Sequence, residues 1–187
     1  MFESVPLPQG FSPVPRPSDG VAFSTSRLSL HEVVEDDADF LFSLLSDPQV
    51  MRFYPQELSR EEAFGWLETQ IGRYEAHGVG LWLVRERGSG DRAGLIGLAV
   101  RDVDGVGELE IGYLLHAPFW GQGYASEAAR GCRDYGFART GCPSLISLIR
   151  PENEPSRRVA QALGMRVTGH TVRAGFDHEI FRLERPD

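Results

Sequence analysis

The stretch Trp120-Gly-Gln-Gly-Tyr-Ala-Ser126 constrains this chain more than any other. It follows a strand-like run at 108–115 (ELEIGYLL) and opens a helix-like run from about Ala125 to Arg139. Two glycines let a backbone approach a ligand closely and turn its N–H groups toward it. A helix start adds unpaired N–H groups and the positive end of the helix dipole. Together these can hold a diphosphate without any lysine. Ser126 can add a hydroxyl. Ala125, Ala128, Ala129 and Cys132 then form a stripe of small residues, which lets the helix press against a sheet. Gly-x-Gly alone is a weak signal, because ordinary glycine turns into amphipathic helices look the same.

The chain has 187 residues, the length of one domain, long enough to bury a core. The formal charge of −8 argues against a broad nucleic-acid or anionic-membrane surface. It leaves open a local anion pocket built from main-chain amides. The longest apolar run, residues 93–100, is far shorter than the roughly 20 residues of a bilayer helix. The opening MFESVPLPQGFSPVPRP lacks the basic end and apolar centre of a secretory signal. Cys132 and Cys142 fit neither a metal spacing nor a disulfide framework, so a reducing cytoplasm is the expected compartment and no metal is expected.

Residues 1–25 carry five prolines and read as an extended or disordered arm. Residues 26–187 read as the folded domain. A strand at 27–33 precedes a helix at 36–46, which Pro48 ends. A second helix at 59–77 opens with the capping-box spacing Ser59-x-x-Glu62 and carries Ala63, Phe64, Leu67, Ile71 and Tyr74 on one face. Strands at 80–87 and 94–103 flank a glycine turn, and Asp104-Gly105 marks the next turn before 108–115. Beyond the helix at 125–139 come a strand at 144–149, a short helix ending near Gly164, and strands at 166–173 and 178–184. This order is α/β (α+β): a mixed, mostly antiparallel sheet of about seven strands with about four helices.

Other phosphate sites fit worse. The chain has no Gly-Lys-Ser/Thr, no Gly-x-Gly-x-x-Gly after a first strand, and no Gly-x-Ser-x-Gly. Glu110-Ile-Gly-Tyr-Leu-Leu115, then Phe119-Trp-Gly-Gln-Gly-Tyr-Ala-Ser-Glu-Ala128, then Asn153-Glu-Pro-Ser156 with Leu163-Gly-Met165, resemble the GNAT superfamily of acyl-CoA-dependent N-acyltransferases. Within it, the ribosomal-protein N-terminal acetyltransferase-like branch is the closest match. The resemblance spans roughly residues 26–183. The superfamily's diphosphate loop reads Gln/Arg-x-x-Gly-x-Gly/Ala, and this chain departs from it only in having Trp120 at the first position, as is usual in that branch.

The resemblance implies a sheet splayed between its fourth and fifth strands, with acetyl-CoA as co-substrate and an amine as acceptor. The pantetheine arm would lie along main-chain groups near Leu114 and Leu115. The diphosphate would sit on Gly121, Gln122, Gly123, Tyr124, Ala125 and Ser126. Asn153 and Ser156 would lie beside the CoA sulfur, and Ser156 would protonate the leaving thiolate. Asn153 is equally a good N-cap, with Pro155 in the first helical turn. Glu110 is the candidate base or ammonium anchor; the alternative is a strand carboxylate facing solvent or paired with an arginine. Glu108 is a lesser candidate. Direct attack by the amine needs no enzyme nucleophile. Deprotonation at pH 7 costs about 4.6 kcal/mol for a lysine but only about 1.4 kcal/mol for an α-amine. A protein N-terminus or a small amine is the expected acceptor, and a homodimer is allowed. A non-catalytic acyl-CoA-binding module is the rival function.

Overall fold

The computed structural model describes residues 5–186; residues 1–4 of the expected arm and residue 187 lie outside the described residues. Strands β1 (Val21–Ser24), β2 (Leu28–His31), β3 (Leu81–Glu86), β4 (Arg92–Val103), β5 (Val106–Leu115), β6 (Ser144–Ile149), β7 (Arg166–Arg173) and β8 (Phe176–Glu184) form one sheet. Their order is β1-β2-β3-β4-β5-β6-β8-β7. Every neighbouring pair is antiparallel except β5 and β6, which run parallel. The helices are α1 (Ala38–Leu45), α2 (Pro48–Met51), α3 (Arg60–His77), α4 (Tyr124–Arg139) and α5 (Glu154–Ala162).

The sheet has one strand more than the sequence suggested. β1 lies inside the proline-rich segment, where Gly20 turns the chain and the Asp19 carboxylate accepts from Val21 N–H at 3.1 Å. The expected fourth and fifth strands are therefore β5 and β6. Pro48 does not stop α1, which already ends at Leu45. It opens the single turn of α2 instead, behind an Asp47 cap.

Local sequence explains the elements that frame the site. Ser59 and Glu62 cap α3 reciprocally, at 3.2 and 2.7 Å. On α3, Ala63, Leu67, Gln70 and Tyr74 are buried. Phe64, expected on that face, is instead 46% exposed, one position off the buried stripe. Residues 93–100 of β4 are buried throughout, as a strand covered on both faces must be. α4 packs on the face carrying Leu98 and Leu145. A Cβ on its Gly136 would stand 3.3–3.4 Å from those two leucines, so the small stripe does bring the helix close. The opposite face carries Leu114, which packs with Leu45, Met51 and Ala63 of the first three helices.

Residues 5–20 hold no helix or strand, yet they are bound to the domain. Ser12 N–H donates to the Thr140 carbonyl at 2.7 Å, and Val14 N–H to the His77 carbonyl at 2.9 Å, at the C-terminal ends of α4 and α3. Val14 is buried. Gly78 ends α3 with φ 70°, and a Cβ there would strike the Val14 carbonyl, so only glycine fits this crossing.

Candidate active site

β5 and β6 share a single backbone bridge, Glu110 to Ile146, and then part. Side chains span the seam where the ladder stops. The Ser147 hydroxyl donates to the Ile111 carbonyl at 2.8 Å. Leu148 N–H donates to Glu110 Oε1 at 3.4 Å. Further along β5, the Trp120 indole N–H caps the Leu115 carbonyl at 2.7 Å. Because ladder bonds alternate, the main-chain groups of Ile111, Tyr113 and Leu115 point into the seam, whereas those of Leu114 point toward β4. The open edge is thus Tyr113 and the N–H of Leu115, with the Leu114 side chain on the far face.

The glycine loop closes one end of this seam. Gly121 and Gly123 have φ of 73° and 77°, and α4 begins at Tyr124, one residue earlier than expected. The first helical bond runs from Glu127 N–H to the Gly123 carbonyl at 3.0 Å. Among the described residues, none accepts from the amides of Gly121 to Ser126. A Cβ on Gly121 would meet nothing within 4 Å, so the concave side of the turn is open. These uncovered donors at a helix start fit a diphosphate. The loop is held from behind by Arg27. Its guanidinium donates to the Gln122 carbonyl at 3.0 Å and to Glu127 at 2.7 Å, and it stacks 4.5 Å over the Tyr124 ring. Burial would raise the Glu127 carboxyl, but hydrogen bonds from Thr25 and Arg27 outweigh it and hold the group below the usual range. The Gln122 amide turns back onto the Pro118 carbonyl at 2.8 Å.

At the opposite wall, Asn153 caps α5, its side chain accepting from Ser156 N–H at 3.2 Å. Ser156 is half-buried, and its own carbonyl accepts from the Tyr113 hydroxyl at 2.8 Å. Tyr113 therefore ties β5 to the first turn of α5 across the seam. Burial, followed by the nearby Glu110 charge, pushes its hydroxyl pKa up, so it stays a donor. The 110–115 motif contains Tyr113 but gives its side chain no role. Arg157, on α5, is occupied by Glu154 and Glu179.

Glu110 is paired with an arginine, one of the alternatives the sequence left open. Arg101 Nε donates to its Oε2 at 2.6 Å, and both side chains are largely buried. The hydroxyl end of Tyr54, from the loop after α2, is buried beside this pair while the rest of the residue is exposed. Its pKa is pushed up to about 12, first by burial and then by Glu110. Glu108 is taken by Arg182. Ile146, Leu148 and Glu110 share the face that looks toward α3. The glycine turn and the acidic strand position thus meet at the same seam from different sides.

Elsewhere, an open groove of about 620 Å³ runs between β1 and the outer side of α4, away from the seam. Cys132 and Cys142 are free and buried, and burial pushes the Cys132 thiol pKa well up. Among the described residues no group of three or more His, Cys, Asp or Glu side chains could hold a metal ion, and no helix is long and apolar enough to cross a membrane.

A splayed mixed sheet with an amide-lined turn at its opening defines a class, the acyl-CoA-dependent acetyltransferases. The family described as the acetyltransferase (GNAT) domain matches residues 27–166, and this chain belongs to it. The uncharacterized protein YkkB of Bacillus subtilis is 34% identical over 142 residues, covering 75% of this chain and 83% of that protein. The acetyltransferase from Agrobacterium tumefaciens has the same fold, with TM-score 0.77, 24% identity, and 87% of this chain and 94% of that one covered. RimL, a ribosomal L7/L12 α-N-protein acetyltransferase solved with coenzyme A, aligns with TM-score 0.73 and 19% identity over 88% of this chain and 97% of its own. The chain is an acetyl-CoA-dependent acetyltransferase.

Proposed function

We propose that residues 26–187 transfer acetyl to a primary amine, either a protein N-terminal α-amine or a small-molecule amine, by direct attack within a ternary complex. The observation that carries this reading is the run of uncovered amides from Gly121 to Ser126 opening onto the β5–β6 seam. When bound, acetyl-CoA supplies an activated acyl group on a thiol leaving group of ordinary pKa, about 8.5. The amides of Gly121, Gln122, Gly123, Tyr124, Ala125 and Ser126 hold its diphosphate. The seam edge at Tyr113 and Leu115 aligns the pantetheine. Holding both reactants in register is worth about 7–11 kcal/mol of barrier.

Glu110 faces the acceptor side with one oxygen on Arg101 and the other on Leu148 N–H. Each carboxylate oxygen accepts more than one bond, so Glu110 can still orient an ammonium or take its proton through water. The low deprotonation cost of an α-amine suits so weakly basic a group. Ser156 keeps its hydroxyl free of the Asn153 cap and serves as the proton donor to the thiolate. RimL acts on a protein α-amine by its name, which supports including protein N-termini among the acceptors.

The test is thiol release from acetyl-CoA against a panel of peptides and small amines, with intact-mass detection of the products. All nineteen basic residues are arginines, so the protein has no lysine amine to confuse the count. Amine-dependent release is expected. Tight CoA binding without release on any amine would overturn the reading in favour of a binding module.

A further inference from the structure

The glycine turn has two sides, and the transfer proposed above uses only the open one. The other side is gripped by a side chain from a distant segment. Arg27 stands between β1 and β2, 95 residues before Gln122. Its guanidinium forks: Nη1 donates to the Gln122 carbonyl at 3.0 Å, while Nε donates to Glu127 at 2.7 Å. The Arg27 main chain is fixed as firmly. Its N–H donates to the same Glu127 carboxylate at 2.8 Å, and its carbonyl accepts from Arg87 N–H at 2.8 Å. The Arg87 side chain in turn donates to the Thr25 and Ser26 carbonyls at 3.0 and 3.3 Å.

The Gln122 carbonyl matters because of the group across its peptide bond. In a trans peptide the C=O and the next N–H lie in one plane and point in opposite directions. This peptide is trans, so drawing the Gln122 oxygen toward Arg27 directs the Gly123 N–H away from it. A Cβ built on Gly123 would stand 3.6 Å from the guanidinium, which sets Arg27 directly behind this residue. Among the described residues the Gly123 N–H has no acceptor. A flip of the peptide would aim a carbonyl, not a donor, at a bound anion. Glu127 neutralises the Arg27 charge, so the guanidinium acts on an anion through this peptide rather than through its field.

We propose that Arg27 is a positioning residue for the coenzyme: by holding the Gln122 carbonyl behind the turn, it keeps the Gly123 N–H presented to the diphosphate and so sets the affinity for acetyl-CoA. This rests on the reading of the turn as the diphosphate site.

CoA, followed by calorimetry, and pantetheine, which has no diphosphate, followed by NMR titration, test it. Arg27→Met should weaken CoA binding about 10-fold and leave pantetheine within about twofold. Arg27→Lys keeps the charge but loses the planar fork, and should recover part of the loss. With an amine that the enzyme acetylates, Arg27→Met should raise the KM for acetyl-CoA and leave kcat and the acceptor KM unchanged. Thr25→Ala is the control for stability. It removes the 2.6 Å bond from Thr25 to Glu127 and leaves the bond to the Gln122 carbonyl in place. It should lower the melting temperature and keep CoA affinity within about twofold. Unchanged CoA affinity in Arg27→Met overturns the proposal, as do equal losses for CoA and pantetheine, or an equal loss in Thr25→Ala. Gly123→Val separates the two readings. If it too leaves CoA affinity unchanged, the diphosphate site itself falls; if it removes CoA binding while Arg27→Met does not, only the role of Arg27 falls.

Discussion

The two sides of the seam are built on opposite plans. The proposed cofactor side is six consecutive residues, Gly121 to Ser126, with their backbone amides as the donors. The proposed acceptor side is assembled from Tyr54, Arg101 and Glu110, three side chains on three different segments. The first plan fixes its ligand by main-chain geometry. The second depends on charges that can be altered one at a time. A family can therefore keep one co-substrate while its members take different acceptors.

The largest effect should come from breaking the backbone plan. Gly123→Val places a β-branched residue at φ 77°, which strains the turn and sets its Cβ 3.6 Å from the Arg27 guanidinium that holds the loop. CoA affinity measured by calorimetry should fall by about 100-fold. A change of less than threefold would show that the turn does not bind it. Next is the charge plan. Glu110→Gln should reduce kcat by about 10-fold or more, with the deficit largest at low pH. It also leaves Arg101 without its counter-charge, so the protein should lose about 1–3 kcal/mol in denaturant melts. A wild-type pH–rate curve would leave Glu110 with only its seam-bridging part.

Ser156→Ala should lower kcat by roughly 10-fold, with CoA affinity unchanged. The Asn153 cap uses the Ser156 backbone N–H and not its hydroxyl, so the helix should survive this change. Asn153→Ala, by contrast, should cost about 1 kcal/mol of stability. The smallest effect concerns pH. Burial lowers the His31 and His116 pKa values below the usual 6.5. Their contribution is complete above pH 6.5 and is lost as pH falls through the lowered folded values. Glu127 is also depressed, from 4.5, so its contribution is complete above that pH and lost as acid protonates it. Melting temperature should therefore step down twice on acidification, and Glu127→Gln should shrink the lower step, to which the depressed Glu62, Glu86 and Glu152 also contribute.

What could be read from sequence follows the same division. The glycine turn, the α3 capping box and the strand order are local patterns, and they hold in the structure. β1 escaped because four residues beside prolines look like more of the same segment. Phe64 misled because a helix stripe one residue wide of true is still apolar. The Arg101 partner was in principle available. Asp104-Gly105, with φ 52° and 86°, is a tight hairpin turn that pairs Val103 with Val106 and therefore Arg101 with Glu108, one step from Glu110. The Tyr113 side chain gave no such signal. Its bond to the Ser156 carbonyl depends on how the α5 cap packs in space, which no periodicity records.

Mechanically, the eight strands behave as two plates, one of five strands and one of three, hinged at Glu110 and Ile146. Beyond that hinge the hydrogen bonds that cross the gap use the Ser147, Glu110, Tyr113 and Arg150 side chains. A wedge can enter there by displacing a few side-chain latches, while every backbone rung on either plate stays made.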